Sequence, residues 1–212
     1  MLAQTSARTV LHAPRYNAAV WSGCWTTAHP SFTQKKVSEK MTQPFATCDL
    51  CDTHKNDSSG SFRVLPPVFR DFGGVRKFCG PVVTVKCFED NSLVKAAVDS
   101  RGIIDTPAGP VPAVLVVDGG ASLRRALLGG NLGAAAARNG WAGVLIDGCV
   151  RDVAELAQFA IGIRALAAMP WPTEKRQQGQ QGVGVQIQGV WVYPGDWLYA
   201  DEDGVVLMAC ML

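Results

Sequence analysis

Short apolar runs separated by helical segments constrain the fold of this chain more than any other feature. The runs lie at 82–87, 114–117 and 143–146, and they are rich in β-branched and aliphatic side chains. Runs of about four to six such residues are typical of strands that are buried on both faces of a parallel sheet. Helices are predicted at 91–100 and 132–139, between these runs, so the sequence indicates βαβ units.

The pattern continues and then changes after Trp171. A short helix is predicted at 153–159 and a strand at 161–167, and residues 174–182 form a polar loop. Short strands are then predicted at 183–187, 190–192, 197–199 and 205–208, separated by turn-forming residues. The predicted class is therefore α/β, with a βαβ core and a C-terminal antiparallel β section that closes the same core.

Length and composition indicate one globular domain rather than several. The chain has 212 residues, of which 48% are hydrophobic and 18% charged, as in ordinary soluble proteins. No apolar stretch reaches the roughly 18 residues that a membrane span needs. The net charge of +2 is divided unevenly, because residues 1–40 carry a net +4 and the remainder a net −2. The mildly acidic body does not favour direct binding of nucleic acid.

Residues 1–40 differ in composition from the rest, and we predict that the functional domain spans 41–212. Three interpretations of 1–40 stay open: a mitochondrial targeting segment, a disordered tail, or a non-native extension with Met41 as the functional start. We favour the last. A cytoplasmic location is expected on that interpretation, and a mitochondrial one if the segment is a genuine targeting signal.

The cysteines and histidines exclude some kinds of chemistry. The seven cysteines are odd in number and irregularly spaced, so free thiols in a reducing compartment are favoured over disulfides. Cys48 and Cys51 form half of a zinc motif, but the sequence offers no second half. Only three histidines occur, and His54 is the one outside residues 1–40. Catalysis by a Ser/His/Asp or Cys/His arrangement is therefore disfavoured.

A glycine-rich turn precedes the helix predicted at 132–139. Gly129, Gly130 and Asn131 stand at its start, where unsatisfied backbone amides can hold a small anion such as a carboxylate. The alternative is that the glycines only provide a flexible turn, and composition alone favours that alternative.

An arginine and an aspartate follow the strand predicted at 143–146. Ligands in open α/β sheets collect beyond the carboxyl ends of strands, so Asp152 could bind a hard cation and Arg151 an anionic substrate. The alternative is a capping box, in which Asp152 caps the next helix and Glu155 is its partner. That alternative leaves Arg151 unexplained. The acidic segment 89–91 could similarly cap a helix or line the same cleft.

Taken together, these segments resemble the regulator of ribonuclease activity A family, which includes 4-hydroxy-4-methyl-2-oxoglutarate aldolases. The resemblance covers Thr47 to Val206, and its landmarks are TCDLCD (47–52), FCGPVVTV (78–85), EDN (89–91), VLVVDGG (114–120), RRALLGGNLG (124–133), NGWAG (139–143), GCVRDVAEL (148–156), GIRALA (162–167) and PGDWLYADEDG (194–204). The sequence signature of the aldolase branch begins with a glycine. Arg-Asp follows after twenty intervening residues, and an acidic residue follows after two more. Gly130, Arg151, Asp152 and Glu155 match it.

The resemblance implies a swivelling β/β/α domain with a metal-dependent site. It implies that Asp152 is the direct protein ligand of Mg²⁺ or Mn²⁺, with water in most other positions. Arg151 would contact the oxo-acid group of the substrate. The loop from Gly129 through Gly130 and Asn131 to Leu132 would bind the substrate, with the amides around Asn131 and Leu132 holding its carboxylate. Homotrimers or dimers of trimers are expected.

The activity implied is cleavage of 4-hydroxy-4-methyl-2-oxoglutarate or 4-carboxy-4-hydroxy-2-oxoadipate to pyruvate and a second 2-oxo acid. Decarboxylation of oxaloacetate is an expected side activity, because it passes through the same pyruvate enolate. A water molecule is expected to take the hydroxyl proton, since no histidine is at hand. One departure is Gly130, where some aldolase members carry an acid. The alternative function is that of a non-enzymatic regulator, because some relatives lack the Arg-Asp pair and bind and inhibit ribonuclease E.

Overall fold

The computed structural model describes residues 45–107 and 109–212. Four helices occur in this part of the chain: α1 (Thr47–His54), α2 (Ser92–Asp99), α3 (Gly130–Arg138) and α4 (Val153–Leu156). The strands are β1 (Phe62–Val64), β2 (Arg70–Asp71), β3 (Phe78–Lys86), β4 (Ile103–Thr106), β5 (Gly109–Pro112), β6 (Val114–Leu128), β7 (Gly143–Val150), β8 (Gly162–Ala168), β9 (Gln180–Gln181), β10 (Val185–Ile187), β11 (Val190–Val192), β12 (Trp197–Ala200) and β13 (Val205–Met208). The prediction for residues 1–40 lies outside the described residues.

One large mixed sheet organises the described residues. Its strand order is β1-β13-β12-β3-β6-β7-β8-β2, with β9 paired to the end of β3. Strands β3, β6, β7 and β8 are parallel neighbours, and β12 and β13 extend the sheet in antiparallel fashion. Two hairpins, β4–β5 and β10–β11, stand apart from it. The predicted α/β class with a βαβ core and a C-terminal antiparallel section is confirmed.

The central strands are buried on both faces, which explains their continuous apolar runs. Along β6, Leu115 and Val117 pack with α2, α3 and α4, whereas Val114 and Val116 pack beneath the β10–β11 hairpin. All four side chains are 0% exposed. Because successive strand residues point to opposite faces, a strand covered on both sides favours apolar residues at successive positions.

Strand β6 is far longer than the sequence predicted. The prediction ended the strand at Val117, but β6 continues to Leu128 through register shifts against β7 between Asp118 and Ser122 and between Ser122 and Ala126. The residues at 120–125 rise from the sheet as a partly exposed arch, which includes Ala121 at φ +53°. The glycines at 119–120 therefore mark a bulged continuation rather than the end of the strand.

Helix α1 packs against the antiparallel end of the sheet, on β12, and was not predicted. The carboxylate of Asp201, in the β12–β13 turn, accepts hydrogen bonds from the Thr47 amide at 2.7 Å and the Thr47 hydroxyl at 2.6 Å. Leu50 packs from α1 onto Trp197 and Tyr199 of β12. No helix among the described residues is long and apolar enough to cross a membrane.

Candidate active site

The carboxyl ends of β6 and β7 bring the glycine turn and the Arg-Asp pair together. Leu128 and Val150, the last residues of these parallel strands, are register partners. The Arg151 amide donates to the Leu128 carbonyl at 2.9 Å, which continues the pairing by one step. Gly129 follows one strand and Arg151 the other, so the two connections start side by side. Arg151 and Asp152 were predicted to follow a strand, and they do; the glycine turn was predicted only to precede a helix, and the structure places it at the end of β6 as well.

The side chains of Arg151, Asp152 and Glu155, which follow β7, lie directly against Gly129 and Gly130, which follow β6. A Cβ atom added to Gly129 would lie 2.6 Å from Oδ2 of Asp152 and 3.0 Å from Nε of Arg151. A Cβ atom added to Gly130 would lie 1.9 Å from Oε2 of Glu155. We call this arrangement the glycine platform, meaning Gly129 and Gly130 with these three side chains against them. The platform explains the glycines by close approach rather than by backbone flexibility, since neither has a positive φ.

Asp152 has a strained backbone, and its side chain binds the start of α3 rather than the helix that its own backbone begins. Its φ of +57° and ψ of +43° are in the left-handed region, which costs most L-residues about 1–2 kcal/mol. The Asp152 carbonyl begins α4 by accepting from the Glu155 and Leu156 amides, but its carboxylate makes no cap hydrogen bond. Oδ2 instead accepts from the Gly130 amide at 3.0 Å, at the start of α3. The capping-box alternative was therefore wrong for the side chains of Asp152 and Glu155.

The start of α3 offers one amide to an anion. The Leu132 amide donates to the Gly129 carbonyl at 3.1 Å, and the Gly130 amide is engaged by Asp152. No described residue accepts a hydrogen bond from the Asn131 amide. An N–H group at a helix start, beside the positive end of the helix dipole, can bind a carboxylate. Of the amides expected to hold a substrate carboxylate, Asn131 is the one left free.

Arg151 and Asp152 face solvent on the platform. Their side chains are 40% and 41% exposed, and Nε of Arg151 lies 3.5 Å from Oδ2 of Asp152. Oδ1 of Asp152 receives no hydrogen bond from the described residues, so one carboxylate oxygen is available to a ligand. The described residues contain no group of three His, Cys, Asp or Glu side chains that could hold a metal. The donor set fits a hard cation such as Mg²⁺ held by one carboxylate and water.

A second charged cluster lies at the end of β3; the sequence analysis singled out its acid, in the segment 89–91, but not its partners on β6. Oε1 of Glu89 accepts from the Ser122 hydroxyl at 2.7 Å and pairs with Nε of Arg124 at 2.7 Å. These two hydrogen bonds, first Ser122 and then Arg124, lower the pKa of the Glu89 carboxyl. Glu89, like Ala121 and Asp152, is a non-glycine residue with positive φ. Residues in such conformations concentrate at functional sites, but sequence alone does not reveal them.

Asp90 ties the polar loop to the sheet. Its buried carboxylate accepts from the Ser92 amide at 2.7 Å, the Arg176 amide at 2.7 Å and the Gln178 amide at 3.1 Å. Burial alone would raise the pKa of Asp90, but these hydrogen bonds outweigh it and lower the pKa to about 2. Asp90 therefore accepts from the first amide of α2 and also holds the loop, whereas Asn91, the N-cap residue of α2, makes no side-chain cap hydrogen bond.

Two buried carboxylates stand side by side beneath the β10–β11 hairpin. Asp118 and Asp147 are register partners on β6 and β7. Asp118 has Lys86 at 3.9 Å, and Asp147 accepts from the Gln188 side-chain amide at 2.6 Å. Burial raises the pKa of Asp147 above its ordinary value, and the Asp118 charge adds to this despite the Gln188 hydrogen bond. The pair lies on the sheet face opposite the helices, away from the glycine platform.

The described cysteines form no disulfide bonds, in agreement with the prediction of thiols. Cys87 and Cys149 are buried, and Cys48 and Cys51 lie on α1. Burial is the first cause that raises the pKa of Cys51, and the Asp203 charge is the first cause for Cys48. The described residues contain no group of three His, Cys, Asp or Glu side chains placed to hold a metal, so the half motif is not completed as a zinc site in this part of the chain.

The described residues form an α/β domain with a mixed sheet, and a carboxylate and a guanidinium lie against two glycines where two neighbouring parallel strands end. The chain belongs to the RraA-like family, described as Aldolase/RraA, whose model matches residues 47–207. The match covers nearly all of the described residues, including the glycine platform.

Relatives with names and structures agree with this family. A protein of Albidiferax ferrireducens, provisionally named 4-hydroxy-4-methyl-2-oxoglutarate aldolase, is 80% identical over 169 residues, covering 80% of this chain and 98% of its own length. A Burkholderia mallei protein of the same provisional name is 54% identical over 164 residues, covering 77% and 94%. The solved structure of the RNA-processing inhibitor RraA from Thermus thermophilus superposes with a TM-score of 0.71 at 43% identity, covering 79% of this chain and 94% of that one.

Proposed function

We propose that this protein is a divalent-metal-dependent aldolase that cleaves 4-hydroxy-4-methyl-2-oxoglutarate or 4-carboxy-4-hydroxy-2-oxoadipate. The products are pyruvate and a second 2-oxo acid, and oxaloacetate decarboxylation is the side activity. One observation carries the proposal. Asp152 keeps a strained left-handed backbone and an exposed carboxylate, although its side chain caps nothing in α4. Such strain is retained where it positions a functional group. The names of the 80% and 54% identical relatives support the reaction class.

Asp152, Arg151 and the Asn131 amide have separate tasks in this proposal. Oδ1 of Asp152 would hold Mg²⁺ or Mn²⁺, while Oδ2 stays on the Gly130 amide and fixes the carboxylate. A bound divalent cation would supply Lewis-acid stabilisation of the negative charge that develops on the 2-oxo oxygen. The Arg151 guanidinium adds positive charge beside the pyruvate enolate as the carbon–carbon bond breaks. The free Asn131 amide at the start of α3 orients the substrate carboxylate.

The test is pyruvate release from oxaloacetate and from 4-hydroxy-4-methyl-2-oxoglutarate with Mg²⁺. EDTA is expected to abolish both reactions, and readdition of Mg²⁺ or Mn²⁺ to restore them. Asp152→Ala should lower kcat/KM by at least about a hundredfold, because it removes the sole proposed protein ligand of the cation. Asp49→Ala is the matched control, since Asp49 is an exposed aspartate on α1. Activity that persists in EDTA or in Asp152→Ala would refute this function.

A second candidate function is regulation of ribonuclease E by binding. The 43% identical Thermus thermophilus protein is an RNA-processing inhibitor, and its structure superposes on most of this chain. A pure binder does not need a strained, metal-competent aspartate, so the lyase is the first candidate. Co-purification of the two proteins and inhibition of RNA cleavage test the second. Binding that is unaffected by Asp152→Ala would show a surface separate from the platform.

Assembly into a homotrimer or a dimer of trimers belongs to the same proposal. An exposed apolar strip beside the arch supports it, formed by Phe88, Leu123 and Trp171 at 58%, 55% and 61% exposure. Arg124 and Arg125 lie over the Phe88 and Trp171 rings at 5.9 and 5.6 Å. Aromatic and arginine residues grouped in this way are typical of protein interfaces. Sedimentation equilibrium gives the mass directly, and a monomer at micromolar concentration would contradict the assembly.

A further inference from the structure

Cys48 and Cys51 form the one Cys-x-x-Cys motif of the sequence, and the structure places both on helix α1. A metal site needs further ligands, and the described residues contain no group of three His, Cys, Asp or Glu side chains placed to hold a metal. The other chemistry that this spacing supports is thiol–disulfide exchange. The described cysteines are present as thiols, so the pair is in the reduced form that such exchange requires.

The two cysteines are close enough to form a disulfide with only a small change in α1. Residues three apart in an α-helix have Cα atoms about 5 Å from each other, given a rise of about 1.5 Å and a turn of about 100° per residue. Disulfides span Cα separations of about 4.4–6.8 Å. The Cβ atoms must approach from about 5–6 Å to about 3.5–4.5 Å. Cys48 is the second residue of α1, in the turn where a helix adjusts most easily.

The two thiols differ in exposure, which gives each a separate role. Cys48 is exposed to solvent, whereas Cys51 is half-buried and packs against the cluster that contains Leu50, Trp197 and Tyr199. A small disulfide in solution therefore reaches Cys48 first. Cys51 lies one helical turn behind Cys48, where it can attack the Cys48 sulfur after that sulfur has bonded to another molecule.

The charge around Cys48 controls how readily it reacts. The positive end of a helix dipole favours the thiolate of a cysteine in the first turn. The Asp203 carboxylate opposes this, because its charge, and then its hydrogen bonding to the thiol, raise the pKa of Cys48. Burial is the first cause that raises the pKa of Cys51. Both side chains are therefore mostly protonated at neutral pH, and the rate of exchange depends on the fraction of Cys48 that ionises.

We propose that Cys48 and Cys51 are a redox-active dithiol that exchanges with small disulfides such as glutathione disulfide. The Cys48 thiolate attacks one sulfur of glutathione disulfide, which forms a mixed disulfide and releases one glutathione thiolate. The Cys51 thiolate then attacks the Cys48 sulfur, which closes the internal disulfide and releases the second glutathione. The two protein thiol protons pass to the released thiolates. The dithiol thus loses two electrons, and glutathione disulfide gains them.

This site is separate from the proposed lyase function. It lies on α1 and the β12–β13 turn, whereas the glycine platform lies where β6 and β7 end. Exchange at the dithiol therefore does not depend on Asp152 or on a bound cation, and failure of one proposal leaves the other standing.

The experiment exposes the folded full chain first to glutathione disulfide and then to reduced glutathione. Trypsin releases residues 41–55 as one peptide, which contains Cys48 and Cys51 and no other cysteine. After acid quenching and alkylation of the remaining thiols, mass spectrometry should show that the oxidised peptide has lost two hydrogen atoms and carries no alkyl group. Excess reduced glutathione should restore both thiols. A peptide without an internal disulfide, or with one that glutathione does not reverse, would overturn the proposal.

Two single substitutions test the order of attack. Cys51→Ser removes the second thiol, so the mixed disulfide of Cys48 with glutathione should accumulate at least about tenfold above the wild-type level. Cys48→Ser removes the exposed thiol, so peptide 41–55 should gain glutathione at least about tenfold more slowly than in Cys51→Ser. Cys210→Ser replaces another exposed cysteine and is the matched control, in which oxidation of the peptide should be unchanged. Equal trapping of glutathione by the two serine variants of the motif would overturn the assignment of Cys48 as the attacking thiol.

Asp203 provides a test that depends on the folded structure. Asp203→Asn removes the charge that keeps the Cys48 thiol protonated, so exchange should be faster. Each tenfold gain in thiolate fraction raises the rate of attack by only about threefold, because a thiolate of lower pKa is a weaker nucleophile. Glu202→Gln changes the neighbouring exposed acid of the same turn and is the matched control. If Asp203→Asn reacts no faster than Glu202→Gln, the folded site does not govern the exchange and the proposal is wrong.

Discussion

The left-handed backbone at Asp152 predicts how substitutions here change the stability of the fold, independently of their effect on activity. Replacing this residue by alanine, glycine or asparagine changes the backbone strain and the hydrogen bond to Gly130 in different combinations. Alanine loses the bond and also lacks the short polar side chain that makes this conformation tolerable, glycine loses the bond but adopts the conformation freely, and asparagine tolerates the conformation and keeps a side-chain oxygen as acceptor. The three variants therefore separate two contributions that a single substitution would mix.

The magnitudes follow from the geometry at Asp152. A hydrogen bond to a charged group contributes about 1.5–3 kcal/mol, and we reduce this to about 1 kcal/mol because of solvent screening at a side chain that is 41% exposed. A non-glycine residue that lacks a short polar side chain pays about 1 kcal/mol at φ +57°. Asp152→Ala should therefore lower the free energy of unfolding by about 2 kcal/mol. Asp152→Gly and Asp152→Asn should stay within about 1 kcal/mol of the wild type.

Urea unfolding followed by circular dichroism measures these differences, with constant m-values as the check that the transitions are comparable. All three variants should lose metal-dependent pyruvate release, because none retains the carboxylate. An alanine variant as stable as the glycine variant would refute the reasoning, since it would mean that the backbone at this position is not left-handed in solution.

Three further predictions concern stability. The depressed pKa of Asp90 stabilises the fold fully above about pH 4, and this is lost as the pH falls through about 2. Asp90→Asn should therefore remove about 2 kcal/mol of acid-dependent unfolding free energy, and an unchanged pH slope would contradict this. The raised pKa of Asp147 means that its ionisation costs stability as the pH rises. Asp147→Asn should therefore be more stable than wild type at pH 7 but not at pH 3, and thermal unfolding at both values checks the sign. Gly162→Ala would place a Cβ 2.1 Å from the Phe78 ring and should destabilise by about 1–3 kcal/mol, whereas Gly204→Ala, with open space around it, should be neutral. Equal melting temperatures for the two alanine variants would contradict that packing.

The central strands were predictable because strands that are buried on both faces consist of continuous apolar runs. The run at 114–117 has no polar residue, and the structure shows it covered on both faces. The prediction of where β6 ends failed, because glycine can mark either the end of a strand or a bulge within it. Gly119 and Gly120 were interpreted as the end of a strand, but they allow β6 to bulge and continue, and Gly119 has the Asp147 carbonyl and Leu127 against its Cα.

The candidate site was predictable in its residues but not in its contacts. The spacing and type of Arg151 and Asp152 pointed to a strand end, which the parallel register of β6 and β7 then placed beside Gly129. Whether Asp152 caps its own helix or reaches another depends on one backbone angle, and sequence does not supply that angle. The contact of Glu155 with Gly130 likewise depends on how two connections meet across the sheet.

The hold of Asp90 on the polar loop has a consequence for protease sensitivity. Lys175 and Arg176 are exposed and are residues after which trypsin cleaves, so the loop contains two potential cut sites. A protease must draw several residues of extended chain into its cleft, and the amides that Asp90 binds at Arg176 and Gln178 are then unavailable. The rate of tryptic cleavage in this loop therefore measures how often the Asp90 carboxylate releases it. The rest of the native structure stays folded during such local opening.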